Sequence, residues 1–151
     1  MKRSNLKSLL IQALNEDSPN GDITTQLLGN ASHEVTAALI AKQTGIFYGE
    51  EIITTLASLQ SFTVDTTTHP LKNGMALTKG QTVCKLTGPF STLLTTERVL
   101  LNFLQHLSGV ATLTNEFVKT LNDSTIKILD TRKTTPLLRD LEKQAVKAGG
   151  G

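Results

Sequence analysis

The residues best able to do chemistry in this chain lie in Asp130-Thr-Arg-Lys-Thr-Thr-Pro136. An apolar β-type run, Ile126 to Leu129, leads into Asp130, and Thr131, Arg132 and Lys133 follow. Pro136 can open a helix without losing a hydrogen bond, and Thr135 can cap it. Two cations then stand between the carboxyl end of a strand and the amino end of a helix. Both kinds of end gather ligands in α/β folds, and the helix end favours anions. A solvated basic turn is the plain alternative for an Arg-Lys pair. The strand, loop and helix setting points instead to an anion site.

A second candidate lies on the strongest predicted helix, Leu93 to Leu107. Leu93, Leu100, Leu104 and Leu107 form its apolar stripe. Arg98, Asn102 and Gln105 form a polar stripe at i, i+4 and i+7, with His106 four residues after Asn102. Such a stripe is usually a solvent face. Val99, Leu101 and Phe103 are also apolar, however, so little of the helix reads as wet. A buried Arg98 would need a partner, because an unpaired desolvated charge is costly. An anion from outside the helix would serve.

The elements that must position these groups follow from patterning. Residues 4–14 read as an amphipathic helix with Ser4 as cap, and Leu6, Leu9, Leu10, Ala13 and Leu14 inward. Glu16 to Asp22 reads as an acidic turn. Its carboxylates, Glu16, Asp17 and Asp22, match no calcium-loop spacing. Strands are predicted at Val35 to Lys42, Ile46 to Tyr48 and Phe62 to Asp65, with a helix over Glu50 to Leu59. Asn73-Gly74 and Lys79-Gly80 read as turns, so that Met75 to Leu77 can pair with Thr82 to Leu86. Ser108-Gly109 breaks the long helix, and Val110, Leu113, Phe117 and Leu121 continue on another. That break marks a domain boundary, giving 1–108 and 109–151. The last unit is a strand, Thr125 to Leu129, then a helix, Pro136 to Ala148. Leu137, Leu138, Leu141 and Ala145 face inward there, and Arg139, Lys143 and Lys147 face out.

Composition narrows the classes. A chain of 151 residues fits one ordinary domain, or a small domain and a piece of another. A net charge of +2 gives no basic face for nucleic acid. Cys84 is the single cysteine, which excludes an intrachain disulfide and a Cys-rich metal site. It reads as a half-buried strand residue in a reducing compartment. His33 and His69 have no partner at ligand spacing, and no metal site is predicted. No segment approaches a membrane span, no signal peptide is evident, and the reading is cytoplasmic. The chain stops at Gly149-Gly-Gly151 directly after a helix-like segment. Glycine there would normally end the helix and lead to another element, so the sequence is expected to be a piece of something larger.

Three stretches together resemble one family. They are Glu16-Asp17 with Gly21-Asp-Ile-Thr-Thr25, then Glu97 to Thr112, then Asp130 to Pro136 with Glu142-Lys143, Ala145-Val146 and the closing glycines. The second and third are specific. The chain is similar to the quinolinate phosphoribosyltransferases, also called carboxylating nicotinate-nucleotide pyrophosphorylases, and corresponds to roughly their first half. It departs from the pattern at Leu137, where a glycine often stands, and at Gln144, where an aromatic is common.

The resemblance implies a mixed α+β and α/β architecture. An amino-terminal α/β sandwich domain would precede the first strand-helix unit of an open α/β barrel. It implies transfer of a phosphoribosyl group from phosphoribosyl pyrophosphate to quinolinate with loss of carbon dioxide, in NAD synthesis. Arg132 would bind the quinolinate carboxylates, with Thr131 beside it. Lys133, the catalytic candidate, would meet substrate or the phosphoribosyl group. Arg98 would reach the active site of a neighbouring subunit, which implies at least a homodimer. Magnesium is expected with phosphoribosyl pyrophosphate, its ligands lying outside these residues, and the active site here is expected to be incomplete and inactive alone. Two other readings stand beside this one. One is a non-catalytic binding or dimerisation module derived from the enzyme; the other is a phosphoribosyltransferase for a related ring acid.

Overall fold

The computed structural model describes residues 3–19, 32–66 and 70–151, without the side chains of Arg3 and Ser4. The acidic residue Asp22, the Gly21 to Thr25 stretch, His69 and the proposed Ser4 cap lie outside that description. Helix α1 spans Arg3–Asp17, α2 Glu50–Gln60, α3 Phe90–Leu121 and α4 Arg139–Ala148. Strand β1 is Glu34–Ile40, β2 Gly45–Ile46, β3 Thr63–Asp65, β4 Ala76–Leu77 and β5 Thr82–Pro89.

Strand β5 is the centre of an antiparallel three-stranded sheet in the order β1, β5, β3. Strand β4 does not join it. It pairs with β2 instead, Gly45 opposite Leu77 and Ile46 opposite Ala76, so the expected pairing of Met75–Leu77 with Thr82–Leu86 is not formed. The Lys79-Gly80 turn still separates the two strands. The intervening Gly80 amide bonds the Ala41 carbonyl, and the Ala41 amide bonds the Gln81 carbonyl, which draws β4 and β5 to different partners.

Helix α3 is continuous over 32 residues and passes straight through Ser108-Gly109. One glycine inside a helix costs only about 1 kcal/mol. Leu104, Leu107 and Ala111 are all buried around that position, which more than offsets it. Ser108 also has a structural task. Its Oγ accepts the Tyr48 amide at 3.1 Å and donates to the Tyr48 carbonyl at 3.2 Å. One turn on, Thr112 Oγ1 accepts the Ile46 amide at 2.8 Å. On the other side of this stretch, the Phe47 amide bonds the Met75 carbonyl at 2.9 Å. Two helix hydroxyls therefore stand in for a missing neighbouring strand. Strand β2 stays short because only one of its sides faces backbone.

Asn73-Gly74 likewise does more than turn the chain. Asn73 Oδ1 accepts the amides of Gly49 and Glu50 at 2.8 and 3.1 Å, and so caps α2 from a distant loop. The local cap residue is Gly49, at φ 144°, where a Cβ would lie 2.0 Å from Leu104 Cδ2. Tyr48 is buried beside this cap. Its hydroxyl donates to the Glu51 carboxylate, and Asn73 Nδ2 holds the other Glu51 oxygen at 2.8 Å. Burial, then the Glu51 bond and charge, push the Tyr48 hydroxyl well above its ordinary value.

The core joins Leu6 and Leu10 of α1, Ile52, Ile53 and Leu56 of α2, Val83 and Leu86 of β5, the α3 stripe, and Leu141 and Ala145 of α4. Cys84 is fully buried within it, and burial pushes its thiol up to about 11, so it stays protonated at neutral pH. Among the described residues, no helix is long and apolar enough to cross a membrane.

The last segment differs from the sequence reading at three points. Residues 125–129 form no strand: no described strand lies alongside to complete a ladder, and Ile126 and Leu129 are exposed. Helix α4 starts at Arg139 and not at Pro136, with Leu138 in the cap position and no side-chain cap. Thr135 instead closes a turn through its carbonyl, 3.1 Å from the Leu138 amide. Leu137 does not face inward. It is 79% exposed and sits at φ 67°, a left-handed conformation.

The closing glycines pack directly on α3. A Cβ on Gly149 would lie 2.3 Å from the Ala111 carbonyl oxygen and 2.7 Å from Thr114 Cβ. Asn115 Nδ2 donates to the Gly149 carbonyl at 3.1 Å. Gly149→Ala should therefore force α4 from α3 and destabilise the fold by about 1–3 kcal/mol, read as a lowered denaturant midpoint. Leu137→Gly should act the other way. Relief of the left-handed strain, less the added freedom of the unfolded chain, should stabilise by about 0.5–1 kcal/mol in the same assay.

Candidate functional site

The Asp130 to Thr135 loop carries Thr131, Arg132 and Lys133, and all three are exposed. Local bonds set its shape first. Thr131 Oγ1 accepts the Lys133 amide at 2.8 Å, turning the chain at Arg132. Helix α4 then holds the loop from below. Lys143 Nζ donates to Asp130 Oδ1 at 2.9 Å, and Glu142 Oε2 accepts the Thr135 amide at 3.2 Å. Arg139 Nε reaches Thr134 Oγ1 at 3.3 Å. Thus Arg139 and Lys143, read from sequence as outward-facing, are outward from the core but engaged with the loop.

Glu142 is also tied to α3. Its Oε1 lies 2.8 Å from His106 Nε2, and its side chain is only 12% exposed. Burial alone would raise the Glu142 carboxyl. Hydrogen bonds from Thr135 and His106 outweigh burial, and the net effect holds it below its ordinary value of 4.5.

Thr131, Lys133 and Thr134 line a cavity of about 270 Å³ together with Glu142 and Lys143. Its other wall is apolar, with Leu113 and Phe117 of α3, which are themselves 56% and 55% exposed. Arg132 is not among the lining residues, so the two cations do not converge on this cavity. Leu137 does not crowd it either. It lines a separate cleft against α1, with Asn5, Ser8 and Gln12.

Arg98 is far from buried. Its side chain is 72% exposed, and Nη1 makes an ion pair at 2.8 Å with Asp17 at the end of α1. Helix geometry makes the polar stripe a solvent face: Val99 and Leu100 take the inward positions, and Arg98, Asn102 and Gln105 face out. Asp17 is 17% exposed, but with Arg98 so open to water the pair contributes at most about 1 kcal/mol. The stripe is not featureless, however. Asp17, Glu97, Arg98, Asn102 and Gln105 line a shallow cavity of about 350 Å³. Within this chain, Arg98 and Lys133 therefore belong to different cavities.

Sequence reasoning missed the His106, Glu142 and Thr135 connection. In the sequence, His106 reads only as part of a stripe and Glu142 only as part of a motif. Nothing in their spacing announces a contact across 36 residues. No cluster of three or more His, Cys, Asp or Glu side chains able to hold a metal occurs among the described residues.

The mixed helix and sheet fold, with a cationic loop braced on a terminal helix, defines a class that comparison with known proteins makes specific. Residues 22–108 match the family described as "Quinolinate phosphoribosyl transferase, N-terminal domain", and residues 110–151 match its C-terminal domain. This chain belongs to the quinolinate phosphoribosyl transferase family. It is 49% identical over 152 residues to a probable nicotinate-nucleotide pyrophosphorylase [carboxylating] of Bacillus subtilis, covering 100% of this chain and 52% of that protein. It is 37% identical over 143 residues to the nicotinate-nucleotide pyrophosphorylase [carboxylating] of Mycobacterium leprae, covering 93% and 50%. The crystal structure of NadC from Streptococcus pyogenes superposes with a TM-score of 0.93 at 38% identity, over 100% of this chain and 54% of that one. The chain spans about half the length of these relatives.

The depressed Glu142 carboxyl gives a signed pH dependence. Its contribution to stability is complete above the unfolded value of 4.5 and is lost as pH falls through the lower folded value. Melting temperature should fall with acid below that point, and Glu142→Gln should make the fall shallower. Equal slopes in the two proteins would show that this carboxylate is not coupled to folding.

Proposed function

We propose that these residues form part of a quinolinate phosphoribosyltransferase and supply cations that bind the carboxylates of quinolinate. The exposed Arg132 and Lys133, presented on a braced loop in a chain that matches both domains of the family, carry the reading. Quinolinate has two adjacent carboxylates, and a planar, permanently charged guanidinium suits them better than an ammonium. Arg132 takes that role, with Thr131 beside it. Lys133, a compact charge, meets substrate or the phosphoribosyl group. Arg98 serves a neighbouring subunit in a homodimer. Its exposure, and its placement in a different cavity from Lys133, support that reading.

In the reaction, the pyridine nitrogen attacks the anomeric carbon of phosphoribosyl pyrophosphate and pyrophosphate leaves with the C–O electron pair. The carboxylate beside the ring nitrogen then departs as carbon dioxide, leaving its electron pair on the cationic ring, and a proton takes its place. The product is nicotinate mononucleotide. The protein needs no nucleophile of its own; its residues hold charge and geometry. Magnesium is expected to accompany the diphosphate and neutralise it. The part proposed for these residues is electrostatic and positional. A cytoplasmic location fits the buried, unpaired thiol of Cys84.

Nicotinate mononucleotide formation from quinolinate and phosphoribosyl pyrophosphate, followed in the protein that carries these residues, tests this. Arg132→Ala should lower kcat/KM for quinolinate by about a hundredfold, and Arg132→Lys should restore only part of it. Undiminished turnover in Arg132→Ala would remove the guanidinium from the substrate site.

A further inference from the structure

We propose that Glu142 is a positioning residue for the cationic loop, oriented by His106 and assisted by Lys143. The role in turnover rests on the function proposed above; the role in holding the loop does not.

Consecutive side chains of α4 engage opposite ends of the loop, Lys143 at Asp130 and Glu142 at Thr135. The segment between them carries Thr131, Arg132 and Lys133. Arginine and lysine side chains each have about 2 kcal/mol of rotamer freedom to lose on binding. A wandering backbone would add to that cost, and a fixed one lowers it. Bracing the backbone on both flanks of the cations is therefore a way to improve binding without touching the ligand.

Exposure decides which brace matters more. Lys143 and Asp130 are 43% and 33% exposed, so water and salt weaken their pair. Glu142 is 12% exposed, and its two oxygens are committed in different directions, Oε1 to His106 and Oε2 to the Thr135 amide. A hydrogen bond to such a largely buried charge is the stronger kind. Removing the carboxylate also strips the Thr135 amide of its acceptor. His106 fixes which oxygen faces the loop, because it occupies the other from the side of α3.

Three substitutions, Glu142→Ala, Glu142→Gln and Lys143→Ala, separate this role from general stability. Amide hydrogen exchange is read residue by residue in the protein carrying this sequence. Glu142→Ala should speed exchange at Thr135 about tenfold or more, with the Ala57 to Phe62 turn unchanged. Glu142→Gln keeps an acceptor oxygen and should recover much of the protection, whereas Lys143→Ala should have the smaller effect. In turnover, Glu142→Ala should raise KM for quinolinate about tenfold and lower kcat by less, because the carboxylate touches no reacting atom but holds the loop that carries Lys133. Unchanged exchange at Thr135 in Glu142→Ala would overturn the proposal, whatever the kinetics. So would faster exchange with KM unmoved, since the loop's order would then not serve binding. If the unsubstituted protein makes no nicotinate mononucleotide, the functional reading fails, and exchange alone decides whether Glu142 holds the loop.

Discussion

The apolar face of α3 is the constraint from which the other elements take their places. Leu100, Leu104, Leu107 and Ala111 are buried along one side of a single helix, and helices α1, α2 and α4 and strands β2 and β5 all pack against it. Each of those elements is too short to stand alone in water. Their stability comes from covering this face, so the helix must run unbroken past its glycine. The last half-turn of contact, at Ala111 and Thr114, is close enough to require glycine on α4. Loss of that approach would loosen α4 and, with it, everything α4 supports.

Polar side chains complete what the backbone leaves unfinished. Ser108 and Thr112 supply partners to alternate amides of the Ile46 to Tyr48 stretch, and Asn73 supplies the cap that α2 lacks locally. In each case a buried amide would otherwise cost the free energy of an unmade bond, about 1–3 kcal/mol. Ser108 reads locally as a helix break and Asn73 as a hairpin turn. The groups that the three side chains satisfy are between 23 and 66 residues away in sequence.

The loop bearing Arg132 and Lys133 shows the same division between local and distant control. Thr131 shapes it within its own few residues. Its attitude on the fold is set by α4, and α4 is set by α3 through Leu141, Ala145 and the His106 contact. The cations themselves remain exposed and so bear no desolvation cost. Arg98 follows the same rule on the opposite part of the helix, held by Asp17.

The sequence alone determined the helical periods and the residues that resemble a phosphoribosyltransferase family, because these depend on spacing along one stretch of chain. It placed α1, α2 and β1 within a few residues and marked Thr131, Arg132, Lys133 and Arg98 as the groups of interest. Read alone, it mispairs β4, divides α3, draws a strand at 125–129, and turns Leu137 inward. Tertiary structure decided those four points, for one physical reason. A strand needs a ladder, a tolerated glycine needs neighbours that repay it, and a side chain is inside or outside only relative to what packs beside it. None of those partners lies within reach of local sequence, and neither does the carboxylate of Glu142 that holds the cationic loop in place.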